Sequence, residues 1–184
     1  MAPMLSMVLG GVRSGKSDFA EGLAGETGGP VLYVATGVAT DLEMKERIRR
    51  HREARPEHWT TLEEPVRLAE RLREALAAPE APSVVMLDSL DVWVANVMEQ
   101  QGQVPKSDVE ACTLGCLSDI LEVIRGSGVD AVLVSSEVGM SLVPPNPLGR
   151  RFQDLLGLVN QKAAAAADRV YLVVAGIPLE VKGA

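Results

Sequence analysis

Two clusters of residues in this chain have the types and spacing to handle phosphate. The first is GGVRSGKS, Gly10 to Ser17, which fits G-x-x-x-x-G-K-[ST] at Gly10, Gly15, Lys16 and Ser17. Glycines let a backbone curl until several N–H groups aim inward at phosphate oxygens, and a helix opening behind them adds its positive end. Gly11, Val12, Arg13 and Ser14 complete such a cradle. Lys16 can reach the β- and γ-phosphates, and Ser17 can offer its hydroxyl to Mg²⁺. A cradle of this kind also calls for a carboxylate on a second strand. Asp88, closing the run VVML, suits that task unless it caps the helix that starts near Asp91. Glu137, after AVLVSS, is a further strand-end acid that could position metal, nucleotide or substrate.

The second cluster is RIRRHREARPEHW, Arg47 to Trp59. Of the 18 Lys and Arg in the chain, six fall between Lys45 and Arg55, against Glu46 and Glu53 alone. If residues 41–54 are helical, Arg47 and His51 share a face, and Arg55 extends the row. Few of these positions are apolar, so most of the helix cannot be core. Crowded guanidinium groups repel one another, and a polyphosphate would relieve them. They also favour neutral imidazole at His51, a competent nucleophile toward a nucleotide α-phosphate. A solvated helix with a surface histidine is the plainer alternative. His58, beside Pro56 and Trp59, reads as a packing residue.

Positioning these clusters falls to alternating strands and helices. Buried strands are predicted at Leu5–Leu9, Val31–Ala35, Val84–Leu87, Ala131–Ser135 and Val170–Val174, with a short strand over Trp59–Leu62 and a last one after Gly176. Helices are predicted at Lys16–Leu23, Asp41–Ala54, Pro65–Ala77, Asp91–Gln101, Ser107–Arg125 and Gly149–Ala167. Pro65 suits the first turn of its helix. Continuous Val/Leu/Ile runs between helices indicate an α/β fold with a mostly parallel sheet flanked by helices, here as one domain over 1–184. The segment VPPNPLG reads as a surface loop.

Bulk properties narrow the class. The 184 residues are 47% hydrophobic and 23% charged, with net charge -7. That acidity argues against nucleic-acid binding, and no apolar run is long enough for a membrane span. The cytoplasm is the expected compartment. Cys112 and Cys116 share a helix face as small residues on a packed or half-packed surface, unless they form a disulfide or a two-ligand metal clip. The scarce Trp59 and Trp93 are expected as core or pocket anchors.

Together GGVRSGKS, VLYVATG, the EM..RI..H...RP..W pattern from Glu43 to Trp59, Asp88 with Leu90 and Trp93, SEVGMSLVPPNPLGRRFQDLLGLVNQ, AAAAAD and GIPL resemble one family. It is the bifunctional adenosylcobinamide kinase / adenosylcobinamide-phosphate guanylyltransferase family of cobalamin biosynthesis. The resemblance implies a RecA-like P-loop fold, ATP and GTP as substrates, Mg²⁺, and adenosylcobinamide and its phosphate as acceptors. It also implies a homo-oligomer, commonly a trimer. His51 would carry GMP covalently. Ala35, Thr36, Gly37, Arg52, Glu53, Ala54, Arg55, Glu63 and Asp88 would line the guanine-nucleotide site, with Arg47, Arg52 and Arg55 clamping phosphates. Ser136 and Ser89 depart from the Asn and Cys usual at their positions. A monofunctional P-loop kinase and a non-catalytic nucleotide-binding regulatory module are the rival readings.

Overall fold

A computed structural model describes residues 3–39, 46, 49, 56–102 and 105–183. Its centre is one seven-stranded sheet: β1 (Leu5–Gly10), β2 (Val31–Ala35), β3 (Thr60–Glu63), β4 (Val84–Asp88), β5 (Asp130–Ser136), β6 (Arg169–Val174) and β7 (Ile177–Lys182). The order is β3-β2-β4-β5-β1-β6-β7. All neighbours run parallel except β6 and β7, which form an antiparallel hairpin. The mostly parallel α/β architecture expected from the apolar runs is what the chain adopts.

Those runs are continuous because both faces of the sheet are covered. Met7, Val34, Leu87 and Leu133 point to one face, where α2 (Leu68–Leu76), α3 (Leu90–Gln101), α4 (Lys106–Ser127) and α5 (Pro147–Ala166) pack. Val8, Tyr33, Met86 and Val134 point to the other, against Ala20 and Ala24 of α1 (Lys16–Gly25) and against Trp59. Among the described residues, α1 is the only helix on that second face. Trp93 is fully buried, and its indole Nε1 donates to the Val66 carbonyl at 3.0 Å, so its polar tip is satisfied as burial requires.

Three expectations shift. The helix predicted from Pro65 starts at Leu68, because the Glu64 carboxylate accepts from Val66 N (2.9 Å) and Arg67 N (2.8 Å) and holds a turn there instead. His58 is exposed, not packed: the Trp59 amide closes a turn onto the Pro56 carbonyl, which sends Trp59 inward and His58 out. Cys112 and Cys116 are free and exposed on α4 rather than packed. No group of three or more His, Cys, Asp or Glu able to hold a metal occurs among the described residues.

The last three residues of VPPNPLG also belong to a helix. Pro147 to Gly149 form the first turn of α5, with Asn146 as cap, its side-chain oxygen accepting from Gly149 N at 2.7 Å. None of the described helices is long and apolar enough to cross a membrane.

Candidate active site

Every residue of the first cluster lies between the end of β1 and the start of α1. The chain turns there by means only glycine allows at two positions. A Cβ on Gly10 would stand 2.3 Å from Ser14 Oγ and 2.8 Å from the Val173 carbonyl, so a side chain has no room. Gly15 sits at φ 89 in the left-handed region, facing the Gly176 Cα. The loop is closed on itself by Ser14 N donating to the Gly11 carbonyl at 3.3 Å. It is buttressed from outside by Gly176 N, which donates to the Ser14 carbonyl at 2.7 Å.

Lys16 is 8% exposed, and its ammonium folds back to the Gly11 carbonyl at 3.3 Å. A lysine held over its own loop places a point charge where phosphate oxygens would enter. Gly15 is the N-cap of α1 and has no side chain to cap it, so the helix amides at this end stay available to an anion. Ser14 Oγ is buried with no partner among the described residues. Gly11, Val12 and Arg13 form the exposed outer lip, and Ser17 is half-buried in the first turn of α1.

Two strands away, the register aligns Glu63, Ala35 and Asp88 in one row across the ends of β3, β2 and β4. Strand β5 separates this row from β1, a spacing of roughly 10 Å at two strand intervals. Crevices beyond the carboxyl ends of parallel strands are where such sheets bind ligands. Asp88 does not cap a helix. Its Oδ2 accepts a short hydrogen bond from the buried Tyr33 phenol, and Ser89 is the N-cap of α3.

Tyr33 carried no signal in the sequence, because its contact with a residue 55 positions on depends on the β2–β4 register. Thr36 is fully buried. Its hydroxyl donates to the Ser89 carbonyl (2.9 Å) and accepts from Ser89 N (2.8 Å), so this side chain fixes the turn that follows Asp88. Asn96 Nδ2 then holds the Thr36 carbonyl at 2.9 Å. Gly37 follows, half-buried, and Glu63 is exposed at its strand end. Ser136 donates to Asp91 Oδ2 at 2.9 Å, so the small hydroxyl standing for an amide has a partner of its own.

Glu137 lies immediately beyond β5. Its backbone N–H donates to the Gly10 carbonyl at 3.1 Å, and its carboxylate accepts from Gly139 N at 2.6 Å. The β5–α5 loop therefore begins beside the phosphate cradle. The second cluster is a different matter: Arg47, His51, Arg52, Glu53, Ala54 and Arg55 lie outside the described residues. Within that segment Glu46 and Arg49 are helical, and the Arg49 guanidinium engages the Glu46 carboxylate through two nitrogens at 2.9 and 2.7 Å.

The family model described as cobinamide kinase / cobinamide phosphate guanyltransferase matches residues 6–181. The chain is 40% identical over 180 residues to the bifunctional adenosylcobalamin biosynthesis protein CobP of Pseudomonas aeruginosa, covering 98% of each. It is 38% identical over 185 residues to the bifunctional adenosylcobalamin biosynthesis protein CobU of Escherichia coli, covering 97% of this chain and 100% of that one. The same identity over 186 residues and the same coverage hold for the Salmonella typhimurium protein of that name.

Proposed function

We propose how this chain works from one premise: it belongs to the cobinamide kinase / cobinamide phosphate guanyltransferase family. It phosphorylates adenosylcobinamide with ATP or GTP. It then transfers GMP from GTP to the phosphate just made, giving adenosylcobinamide-GDP on the way to cobalamin. The observation that supports the first step is the buried Lys16 folded over a glycine-closed loop at the mouth of an uncapped helix.

In the kinase step the loop amides and Lys16 hold the β- and γ-phosphates while the substrate hydroxyl attacks the γ-phosphorus. A phosphorus–oxygen bond forms to the substrate as the bond to the β-phosphate oxygen breaks. The departing nucleoside diphosphate keeps its charge within reach of Lys16. Mg²⁺ suits the hydroxyl of Ser17 and the carboxylate of Asp88, which are hard oxygen donors. When bound, it supplies charge neutralisation on the phosphates. Tyr33 and Thr36 keep Asp88 and its following turn in place from behind.

The transferase step is assigned to His51. An imidazole nitrogen attacks the α-phosphorus of GTP, and pyrophosphate leaves. The phosphate of adenosylcobinamide phosphate then displaces the imidazole and takes the GMP. Arg47, Arg52 and Arg55 are assigned to the departing pyrophosphate, and Ala35, Gly37, Glu53, Ala54 and Glu63 to the guanine-nucleotide side. Residue types and spacing in RIRRHREARPEHW support this part.

The test is GTP labelled at the α-phosphate. Wild type is expected to retain acid-labile, alkali-stable label, and His51→Ala none, while γ-phosphate transfer to adenosylcobinamide persists in the variant. Label surviving His51→Ala removes the histidine assignment. The single continuous sheet supports one domain. The proposal extends to the cytoplasm as compartment and to a homo-oligomer, with a trimer implied by resemblance. Edge strand β7 supports assembly, since it leaves Ile177, Leu179 and Val181 exposed.

A further inference from the structure

Phosphoryl transfer brings a small group to the cradle, but the acceptor here is a large macrocycle with a nucleoside attached. Its reactive hydroxyl sits on a short arm, so the ring must rest on the protein within an arm's length of the γ-phosphate. The rim beside the cradle offers one surface of fitting chemistry. From Val138 to Gly149 no residue is charged, in a chain that is 23% charged. Within that stretch Met140 is 81% exposed, Leu142 94%, Val143 74% and Leu148 66%, and Val12 on the lip of the cradle is 82% exposed.

The loop is not slack. Gln153 Nε2 donates to the Val138 carbonyl at 2.6 Å, and Ser141 bonds the same carbonyl through its amide and its hydroxyl. Arg150 spans the carbonyls of Pro144 and Pro145 at 3.0 and 2.9 Å. Polar side chains are thus spent on holding the backbone, while apolar ones are turned outward. Its start is fixed to the cradle by Glu137 N on the Gly10 carbonyl. A pre-ordered, uncharged, apolar surface anchored to a phosphate site suits a ligand that is broad, neutral at its rim and attached to the reacting group.

We infer that the β5–α5 loop, with Met140, Leu142 and Val143 exposed, together with Leu148 in the first turn of α5 and Val12 on the lip of the cradle, is the platform on which the corrinoid ring of the acceptor lies. The inference rests on the proposed function and assigns the acceptor side of that same site. A second copy of the chain is the competing occupant. Charge and continuity favour the ring: the ring's periphery carries methyl and neutral amide groups, and the loop begins at Glu137, whose amide is bonded to the Gly10 carbonyl.

The double variant Met140→Ser, Leu142→Ser tests it, since both side chains are exposed and their loss leaves the core intact. Adenosylcobinamide binding is read by equilibrium dialysis, using the ligand's own absorbance, alongside steady-state kinase kinetics. The expected result is a Kd and KM for adenosylcobinamide raised about tenfold or more, as loss of two apolar contacts implies, with kcat and the Kd for GTP within about twofold. Unchanged corrinoid affinity in a variant of a working enzyme overturns this inference alone. A changed oligomeric state by light scattering also overturns it and gives the face to a second copy. Wild type that neither binds nor phosphorylates adenosylcobinamide overturns the proposed function together with it.

Discussion

The two ends of the sheet treat polar groups in opposite ways. At the end where the strands begin, carboxylates complete the backbone. Asp130 accepts from Met4 N and Asp168 from Leu5 N, both at 2.7 Å, and Arg125 clasps Asp168 through two nitrogens at 3.0 Å. Lys182 gathers the carbonyls of Ala164, Ala165 and Ala167 at the close of α5. At the end where the strands finish, Ser14 Oγ and Asp91 Oδ1 are buried without partners among the described residues, α1 has no side-chain cap, and a lysine is held indoors. A cavity of about 200 Å³ opens at the first end, lined by Ser6, Glu26, Asp130 and Arg169, and takes no part in the cradle. Arg169 Nε, buried beside it and without a partner among the described residues, is the exception to the pattern. The difference teaches that this fold completes its bonds at one end and keeps unspent donors and acceptors for ligands at the other.

That division is best broken at Lys16. Lys16→Ala removes the buried charge over the loop and is expected to lower kinase kcat about 10³-fold, with little loss of thermal stability. Phosphoryl-transfer rates read beside a melting curve check it. A variant that melts early while keeping its rate would reverse the assignment of the two ends.

Tyr33→Phe sharpens the contrast within the site end. The phenol touches no ligand in this reading, so it acts through Asp88 as a positioning residue. Kinase kcat is expected to fall about tenfold, and half-saturation to need more Mg²⁺, while stability changes by about 1 kcal/mol or less. A magnesium titration of the variant separates this from a purely structural role, which would leave the titration midpoint in place.

The smallest effect is expected at the other end. The Arg125 guanidinium, and after it the Leu5 amide, hold the Asp168 carboxyl below its ordinary value against the opposing cost of desolvation. A folded-state value below the unfolded one means the ionised form stabilises the fold at neutral pH. That contribution fades as acid protonates the group, through the range between the two values. Both partners are more than a third exposed, so water screens the pair, and its worth is at most about 1 kcal/mol. Asp168→Asn should therefore flatten the acid limb of unfolding free energy against pH and leave turnover untouched. Denaturant melts from pH 7 down to pH 3 would show it, and an unaltered acid limb would remove the linkage.

Much of the end where the strands finish could be read in the primary structure, and particular residues show why. The cradle is a short contiguous run, so GGVRSGKS announces itself, although the Cβ clearances that demand its glycines come from Val173 and Gly176 as well as from Ser14. The five buried strands announce themselves because both faces are covered. Tyr33 was silent, since a tyrosine in a strand reads as packing until the partner strand is in register. Glu64 was silent too: a carboxylate that caps a turn displaces the helix start expected at Pro65. The β5–α5 loop looked like a plain connection, because exposure of its apolar residues depends on Gln153 and Arg150 holding the backbone from outside it.

The contact between Gly176 and the cradle has a practical consequence. The turn leading into β7 props the loop that grips phosphate, through the Gly176 amide on the Ser14 carbonyl. Cutting the chain after Val174, or pulling β7 away with a bulky affinity tag, would loosen nucleotide binding from a position that looks remote in the numbering. Handles for purification or immobilisation belong elsewhere on the molecule, and a C-terminally anchored preparation with poor GTP affinity should first be suspected of a sprung hairpin.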